Sequence, residues 1–279
     1  MMKITNKFNL PEVIVRAVSN DPYDAGESDI SVTRLISPVK QVHLQRLHGG
    51  ELTEDASDRI WALLGSSVHA MLERAAGEDD IVEERYFKEV QGWNVSGQID
   101  LISQGTLYDF KVSSAWSALG DPKPEWVQQL NLLNYLSGGD IDKLAIILIC
   151  RDWSKFRAMK GGDYPSSQVI EIPIEKWSRE KTEKYLLERL TAHQRAFNGD
   201  SLPLCSKQER WAKDDVWAIM KKGRKSAVKL HSNEEDAEKH LESLDKNHSI
   251  ELRVGEDVRC GNYCSVNQHC EQFLTKTEK

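Results

Sequence analysis

The sequence contains no apolar run approaching the roughly 20 residues needed to cross a bilayer. Its first residues, MMKITNKFNLPEV, are too polar for a secretory signal. A cytoplasmic location with no membrane partner is therefore expected. A G-x-x-x-x-G-K-[ST] phosphate loop is also missing, which excludes an ATP-driven motor of that type. There is no basic excess: 37 Lys and Arg stand against 44 Asp and Glu, for a net charge of −7. Bulk attraction to nucleic acid is thereby excluded. Contact with DNA would need a local basic patch, or cations bound at an acidic site. Cysteine is sparse and odd in number, five residues in all, which argues against a disulfide framework. Internal repeats and low-complexity segments are absent as well.

What is present is ordinary in bulk and uneven in detail. The 279 residues suffice for one hydrophobic core plus a smaller appended module, with 39% hydrophobic and 29% charged residues. Residues 1–52 read as an irregular arm followed by a short helix near 32–46. Asp55 or Ser57 can then cap a run in which Ile60, Leu63, Leu64, Val68, Met71 and Leu72 recur at helical spacing, with Gly77 as its end. Next the period changes. VEERYFKEV, WNVSGQIDLIS and TLYDFKVSS are short Val-, Ile-, Tyr- and Phe-rich segments with glycine-containing breaks, the pattern of a three-stranded antiparallel meander. Pro124 opens a helix over 124–136, and KLAIILIC suits a strand buried on both faces. SQVIEIPI reads as a further strand and 175–197 as a long helix. Together these predict an α/β core with a mixed sheet over 53–200. The linker-like FNGDSLP precedes a second module over 201–279.

The chemistry gathers in the middle of the core. Asp109 and Lys111, two apart on a strand, project from the same face, and a short turn can bring Asp100 beside them. Two carboxylates can hold hard divalent cations. Such cations polarise a phosphate and lower the pKa of a bound water, while the lysine orients that water or stabilises developing charge. A D-x-K pair alone is common on exposed strands. His69, one turn from Glu73 on the preceding helix, could be a metal ligand or a structural helix histidine.

In series, G-x-x-x-H-x-x-x-E from Gly65, G-x-I-D ending at Asp100, D-x-K at Asp109 and Lys111, and a glutamine-bearing helix resemble the RecB-like branch of the PD-(D/E)XK nucleases. The resemblance covers 65–135, a quarter of the chain. It includes CRISPR-associated RecB-like and phage exonucleases. It implies a restriction-endonuclease-like core with a mixed central sheet flanked by helices. His69, Asp100 and Asp109 would be ligands of Mg²⁺ or Mn²⁺, joined by the backbone carbonyl of Val112, with Lys111 catalytic. Gln129 would be the site glutamine. Relatives carry a tyrosine four residues after it, but here Leu133 stands in that place and Tyr135 comes two later.

Cys260, Cys264 and Cys270 lie within eleven residues of one another, and Cys205 could close a four-thiolate set. Zinc and a 4Fe–4S cluster both take such ligands. The one-plus-three arrangement resembles cluster-bearing RecB-like nucleases, although their lone cysteine commonly precedes the core. His269 is an alternative fourth ligand, and Cys150 reads as a small core residue. Lys221, Lys222, Arg224 and Lys225, close after Trp211 and Trp217, are either a DNA-contacting patch or a solvated edge.

The expected function is thus an ATP-independent, metal-dependent deoxyribonuclease. It would act as an exonuclease on single-stranded DNA or duplex ends, within replication, recombination or repair complexes of a bacterial cell or phage-infected host. Two alternatives stay open. One is a structure-selective or spacer-processing endonuclease; the other is a DNA-binding scaffold with a weakly active core.

Overall fold

The computed structural model describes residues 3–20, 26–200 and 202–277. Met1, Met2 and Ser201, which fall in the polar start and the linker read above, lie outside the described residues. The chain divides into two compact units. One comprises Met1–His43 and Gly49–Leu202, the other Leu44–His48 and Pro203–Lys279.

The first unit runs β1 (Lys3–Thr5), α1 (Glu12–Ser19), β2 (Ile30–Ser31), α2 (Val32–Ile36), the first half of α3 (Val39–His48, whose Leu44–His48 count with the second unit), β3 (Thr53–Asp55), α4 (Ile60–Glu73) and β4 (Ile81–Val82). It continues with β5 (Arg85–Val90), β6 (Trp93–Gln98), β7 (Leu101–Ser103), β8 (Thr106–Ser113), α5 (Pro124–Leu136), β9 (Lys143–Cys150), α6 (Lys155–Ala158), β10 (Val169–Ile174) and α7 (Arg179–Phe197). The single helix expected over 32–46 is two helices. Pro38 lacks an N–H and disfavours helical geometry at Ser37, which is extended at ψ 155°. The helix expected from 175 begins at Arg179, because the Ser178 side chain accepts from the Lys181 N–H and caps it there.

The central sheet has the order β10-β9-β8-β7-β4, with β8 and β9 parallel and the other pairs antiparallel. It is mixed, as the alternation of elements predicted. The three-stranded meander is not formed. WNVSGQIDLIS breaks at Ile99–Asp100 into β6 and β7, which belong to different sheets, and β6 pairs with β5 and β2. The facing chain breaks at the same level, where Glu83 takes a positive φ of 50°. The two breaks stay tied by Ile99 N–H donating to Glu84 O at 3.0 Å and Glu83 N–H donating to Asp100 O at 3.3 Å. One long hairpin is therefore kinked rather than cut, in the manner of a bulge.

The core joins Leu107, Ile146 and Leu148 of the sheet to Leu130, Leu132 and Leu133 of α5 and to Leu186 and Leu190 of α7. Ile30, from the segment read as an arm, and Val32 and Leu35, from the short helix expected after it, are buried in the same core. Gly97 permits the close approach of α5 to β6: a Cβ there would stand 2.5 Å from the Leu133 side chain. That contact gives the glycine of G-x-I-D a packing reason.

In the second unit, β11 (Val216–Lys221), β12 (Lys229–His231), α8 (Glu234–Glu242) and β13 (His248–Arg253) form an antiparallel sheet of order β12-β11-β13 packed on one helix. Two short helices, α9 (Val258–Asn262) and α10 (Glu271–Thr277), follow. No helix among the described residues is long and apolar enough to cross a membrane.

Candidate active site

Strand β7 pairs with β8 only as far as Tyr108. Past that point no strand among the described residues lies beside this edge of β8, and the polar groups of Phe110 find side-chain partners instead. Phe110 N–H donates to Asp100 Oδ2 at 2.6 Å, and Phe110 O lies 3.0 Å from His69 Nε2. The His69 ring meets the Phe110 ring edge-on at 5.7 Å. Its other nitrogen, Nδ1, stands 3.5 Å from Asp100 Oδ1 and 4.0 Å from Glu83 Oε1. Ligand atoms of His69, Glu83 and Asp100 all lie within 4.8 Å of one another.

The hairpin kink creates this arrangement. Asp100 and Glu83 sit at the two breaks, so both carboxylates leave the strand alternation and turn towards α4. Glu83 is fixed by Gln98, whose Nε2 donates to Glu83 Oε2 at 2.7 Å and to Glu83 O at 3.1 Å. Gln98 Oε1 in turn accepts from Arg85 at 2.5 Å. Burial raises the Glu83 carboxyl above its usual pKa, reinforced by the Asp100 charge. The Asp100 carboxylate, as hydrogen-bond partner, raises His69, against the effect of its partial burial.

Asp109 and Lys111 lie on a common face of β8. Lys111 Nζ is 2.5 Å from Asp109 Oδ2, and Gln129 Nε2 of α5 donates to Asp109 Oδ1 at 2.8 Å. Asp109 is 1% exposed. Burial pushes its carboxyl up to about 6, although Lys111 draws it down; Asp100 adds to the rise.

The structure thus brings together His69, Asp100, Asp109, Lys111 and Gln129. It does not bring the Val112 carbonyl to the imidazole. The carbonyl there is that of Phe110, two residues earlier on the same strand edge and so one strand repeat away. Glu73 is exposed on α4. Tyr135 is buried among other partners: its hydroxyl donates to Glu183 at 3.4 Å, and the Lys88 ammonium lies 4.0 Å from its ring centre. Sequence reasoning missed Glu83. The available signal was its position in VEERY, opposite Asp100 across the hairpin; the irregular φ that turns it inward leaves no periodicity to read.

None of the five cysteines forms a disulfide: Cys205, Cys260, Cys264 and Cys270 lie in the second unit, and Cys150 is buried in β9 of the first. Cys260 feels the charges of Cys264 and Cys270, and Cys264 that of Cys270. Burial raises both the Cys260 and Cys264 thiols. Cys205 is joined to the trio through Gln272: its N–H donates to Gln272 Oε1 at 2.8 Å, and Gln272 Nε2 donates to its carbonyl at 2.9 Å. Among the described residues, no three of these sulfurs form a group drawn within 4.8 Å. His269, the alternative ligand, stacks on His48 with ring centres 3.9 Å apart. Lys221, Lys222, Arg224 and Lys225 are exposed at the β11–β12 turn.

No family model matches the sequence, and no curated protein matches it. Among solved structures, the chain is similar to the protein SSO0001, at 17% identity over 64% of this chain and 84% of that one, with a TM-score of 0.46. It is also similar to the alkaline exonuclease LHK-Exo from Laribacter hongkongensis, at 15% identity over 60% of this chain and 89% of that one, with a TM-score of 0.41. The same exonuclease in complex with dAMP matches at 15% identity over 61% and 89%, with a TM-score of 0.40. The solved structures to which this chain is similar therefore include an alkaline exonuclease.

Proposed function

We propose that the chain is a metal-dependent DNA nuclease of the RecB-like PD-(D/E)XK type, working without ATP as an exonuclease in replication, recombination or repair. The observation that carries this reading is the convergence of His69, Glu83, Asp100 and the Phe110 carbonyl at the open edge of β8, beside Asp109, Lys111 and Gln129. One ring nitrogen and several oxygens, gathered within the span of one coordination shell, are a donor set that suits Mg²⁺ or Mn²⁺. When bound, the cation would polarise the phosphate and acidify a water.

The chain's own groups supply the rest. Asp100 holds the imidazole in place and raises its proton affinity, so a cation at His69 would compete with a proton for the ring nitrogen. Gln129 and Lys111 take the two oxygens of Asp109, which fixes a carboxylate that burial would otherwise favour as the neutral acid. The Lys111 ammonium, anchored there, lies ready to neutralise charge that develops on a phosphate.

The reading extends to a four-thiolate 4Fe–4S cluster in the second unit. Zinc–thiolate bonds of about 2.3 Å set four sulfurs about 3.8 Å apart. Cys260, Cys264 and Cys270, which interact electrostatically with one another, would supply three of the cluster's thiolates. The exposed β11–β12 turn would contact phosphates.

The test is cleavage of end-labelled linear DNA in Mg²⁺ by the full chain and by Lys111→Ala. Release of short products by the wild type, reduced at least about 10²-fold in the variant, is expected. Equal rates would remove Lys111 from the mechanism.

A further inference from the structure

The catalytic face of β8 continues beyond Lys111 into a built rim of aromatic rings and cations, all within the first unit. Ser113 follows Lys111 on the same face, and its hydroxyl meets Ser117 Oγ at 3.0 Å. The turn Ala115–Ala118 is thereby fixed one strand repeat past the lysine, and Trp116 within it is 54% exposed. Because β8 and β9 are parallel and in register, Ser113 lies beside Cys150, and the chain leaving β9 meets the same turn. Asp152 locks the two together: its oxygens accept from Ser114 Oγ and Ala115 N–H, each at 2.7 Å. Arg151, the residue before it, places its guanidinium 4.2 Å from the ring centre of Trp61, which is 55% exposed on α4. Arg157 approaches the Trp116 ring to 5.7 Å, and Tyr164 meets that ring edge-on at 5.5 Å.

Two large indoles, Trp116 and Trp61, stand half in water on the segments that follow and flank the strand of Lys111. Each is accompanied by an arginine, in a protein whose net charge is negative. Lys123 adds to the positive character of the rim; it is depressed by its own burial and also feels the Arg151 charge. Exposed aromatic faces take nucleobases by stacking, and neighbouring guanidinium groups take the phosphates between them. In a duplex, base faces are already stacked and only base edges are offered in the grooves. We infer that Trp116 and Trp61, with Arg157 and Arg151, form a stacking platform for single-stranded DNA beside the catalytic lysine, so that the strand being cut is unpaired where it meets the site. This inference rests on the nuclease reading and names its substrate class.

The test is a binding measurement kept separate from cleavage. In a Lys111→Ala background, full-length Trp116→Ala, Trp61→Ala and Trp116→Phe chains are titrated against a labelled single strand and the corresponding blunt duplex by fluorescence anisotropy. Thermal melting checks their folding. The single strand is expected to bind more tightly than the duplex. Each alanine variant should weaken single-strand binding about fivefold or more, leave duplex binding within twofold, and lose little when Phe replaces Trp116. Unchanged single-strand affinity in both alanine variants, or an equal loss on both DNA forms, overturns the platform. Cleavage by the Lys111 chain is read separately. Tryptophan-dependent single-strand binding without any cleavage leaves the platform standing and removes the nuclease reading. Cleavage with tryptophan-independent binding does the reverse.

Discussion

The first unit holds its reactive groups on elements that also build its core, and the second holds them on turns. Asp109 sits in the middle of β8 between Leu107 and Phe110, and Gln129 lies one residue from Leu130, which is fully buried. Fifteen or more large apolar side chains pack around that sheet and its helices, so the site is held whether or not a cation is present. In the second unit, the buried apolar residues are Leu44, Ala218, Ile219, Ala237, Val266 and Cys270. Three of them are alanines or a cysteine. Four thiols lie on short helices and turns, linked by backbone contacts such as the Cys205–Gln272 pair. A unit with so small a core would gain from a staple, and the proposed thiolate-bound centre would supply one. On the proposed reading the two sites would play different physical roles: a preformed oxygen–nitrogen pocket that could gain or lose its ion, and a sulfur centre on which folding would depend.

This contrast can be broken most forcefully at Cys264. Cys264→Ser should abolish absorbance near about 400 nm in protein purified without air. It should also raise amide exchange across 216–253 by at least about 100-fold. Exchange in β8 and β9 should be unaffected. Protection retained in the second unit would show that its own packing suffices and that the cysteines are not structural. Stripping divalent cations, by contrast, is expected to leave exchange in the first unit nearly unchanged.

A smaller effect is expected at Glu83. Glu83→Gln keeps the shape and hydrogen-bonding capacity but removes one charge from the group around His69. Mn²⁺ affinity by calorimetry should fall about 10- to 100-fold, with much of the cleavage rate recovered at saturating Mn²⁺. Unaltered affinity would leave Glu83 as a structural partner of Gln98.

The smallest effect concerns pH. Asp55 accepts from the Lys7 N–H at 2.8 Å, from Ser57 Oγ at 2.7 Å and from Thr5 Oγ1 at 2.8 Å. These bonds, the Lys7 N–H foremost, hold its carboxyl well below the usual carboxylate range. A depressed folded pKa contributes stability that is fully present above the unfolded value of about 3.9 and is lost as pH falls below it. Melting temperature should therefore drop less between pH 5 and 3 in Asp55→Asn than in the wild type, from a lower starting value. Parallel curves would contradict the assignment.

Much of the site was legible because its side chains come from motifs whose order is local. Gly65 to His69 lie on one helix, Asp109 and Lys111 alternate on one strand, and Gln129 lies one turn into a helix opened by Pro124. What was not legible depends on pairing between distant segments. Glu83 becomes a site residue only because two strands break at the same level. The choice between the carbonyls of Phe110 and Val112 depends on where β7 stops, which the strand pattern does not mark. Likewise no sequence pattern links Trp116 to Arg157; the parallel register of β8 and β9 brings the segments that follow the two strands together. Ile30 falls in the stretch read as an arm because the two-residue strand Ile30–Ser31 carries no period.

The most direct test of the whole account is cleavage of linear single-stranded, linear duplex and closed circular DNA by the full chain in Mg²⁺, in Mn²⁺ and in excess EDTA. The account predicts loss of linear DNA in either cation, none in EDTA, and an intact circle. Cleavage that persists in EDTA, or no cleavage in either cation by protein that binds DNA, would contradict it.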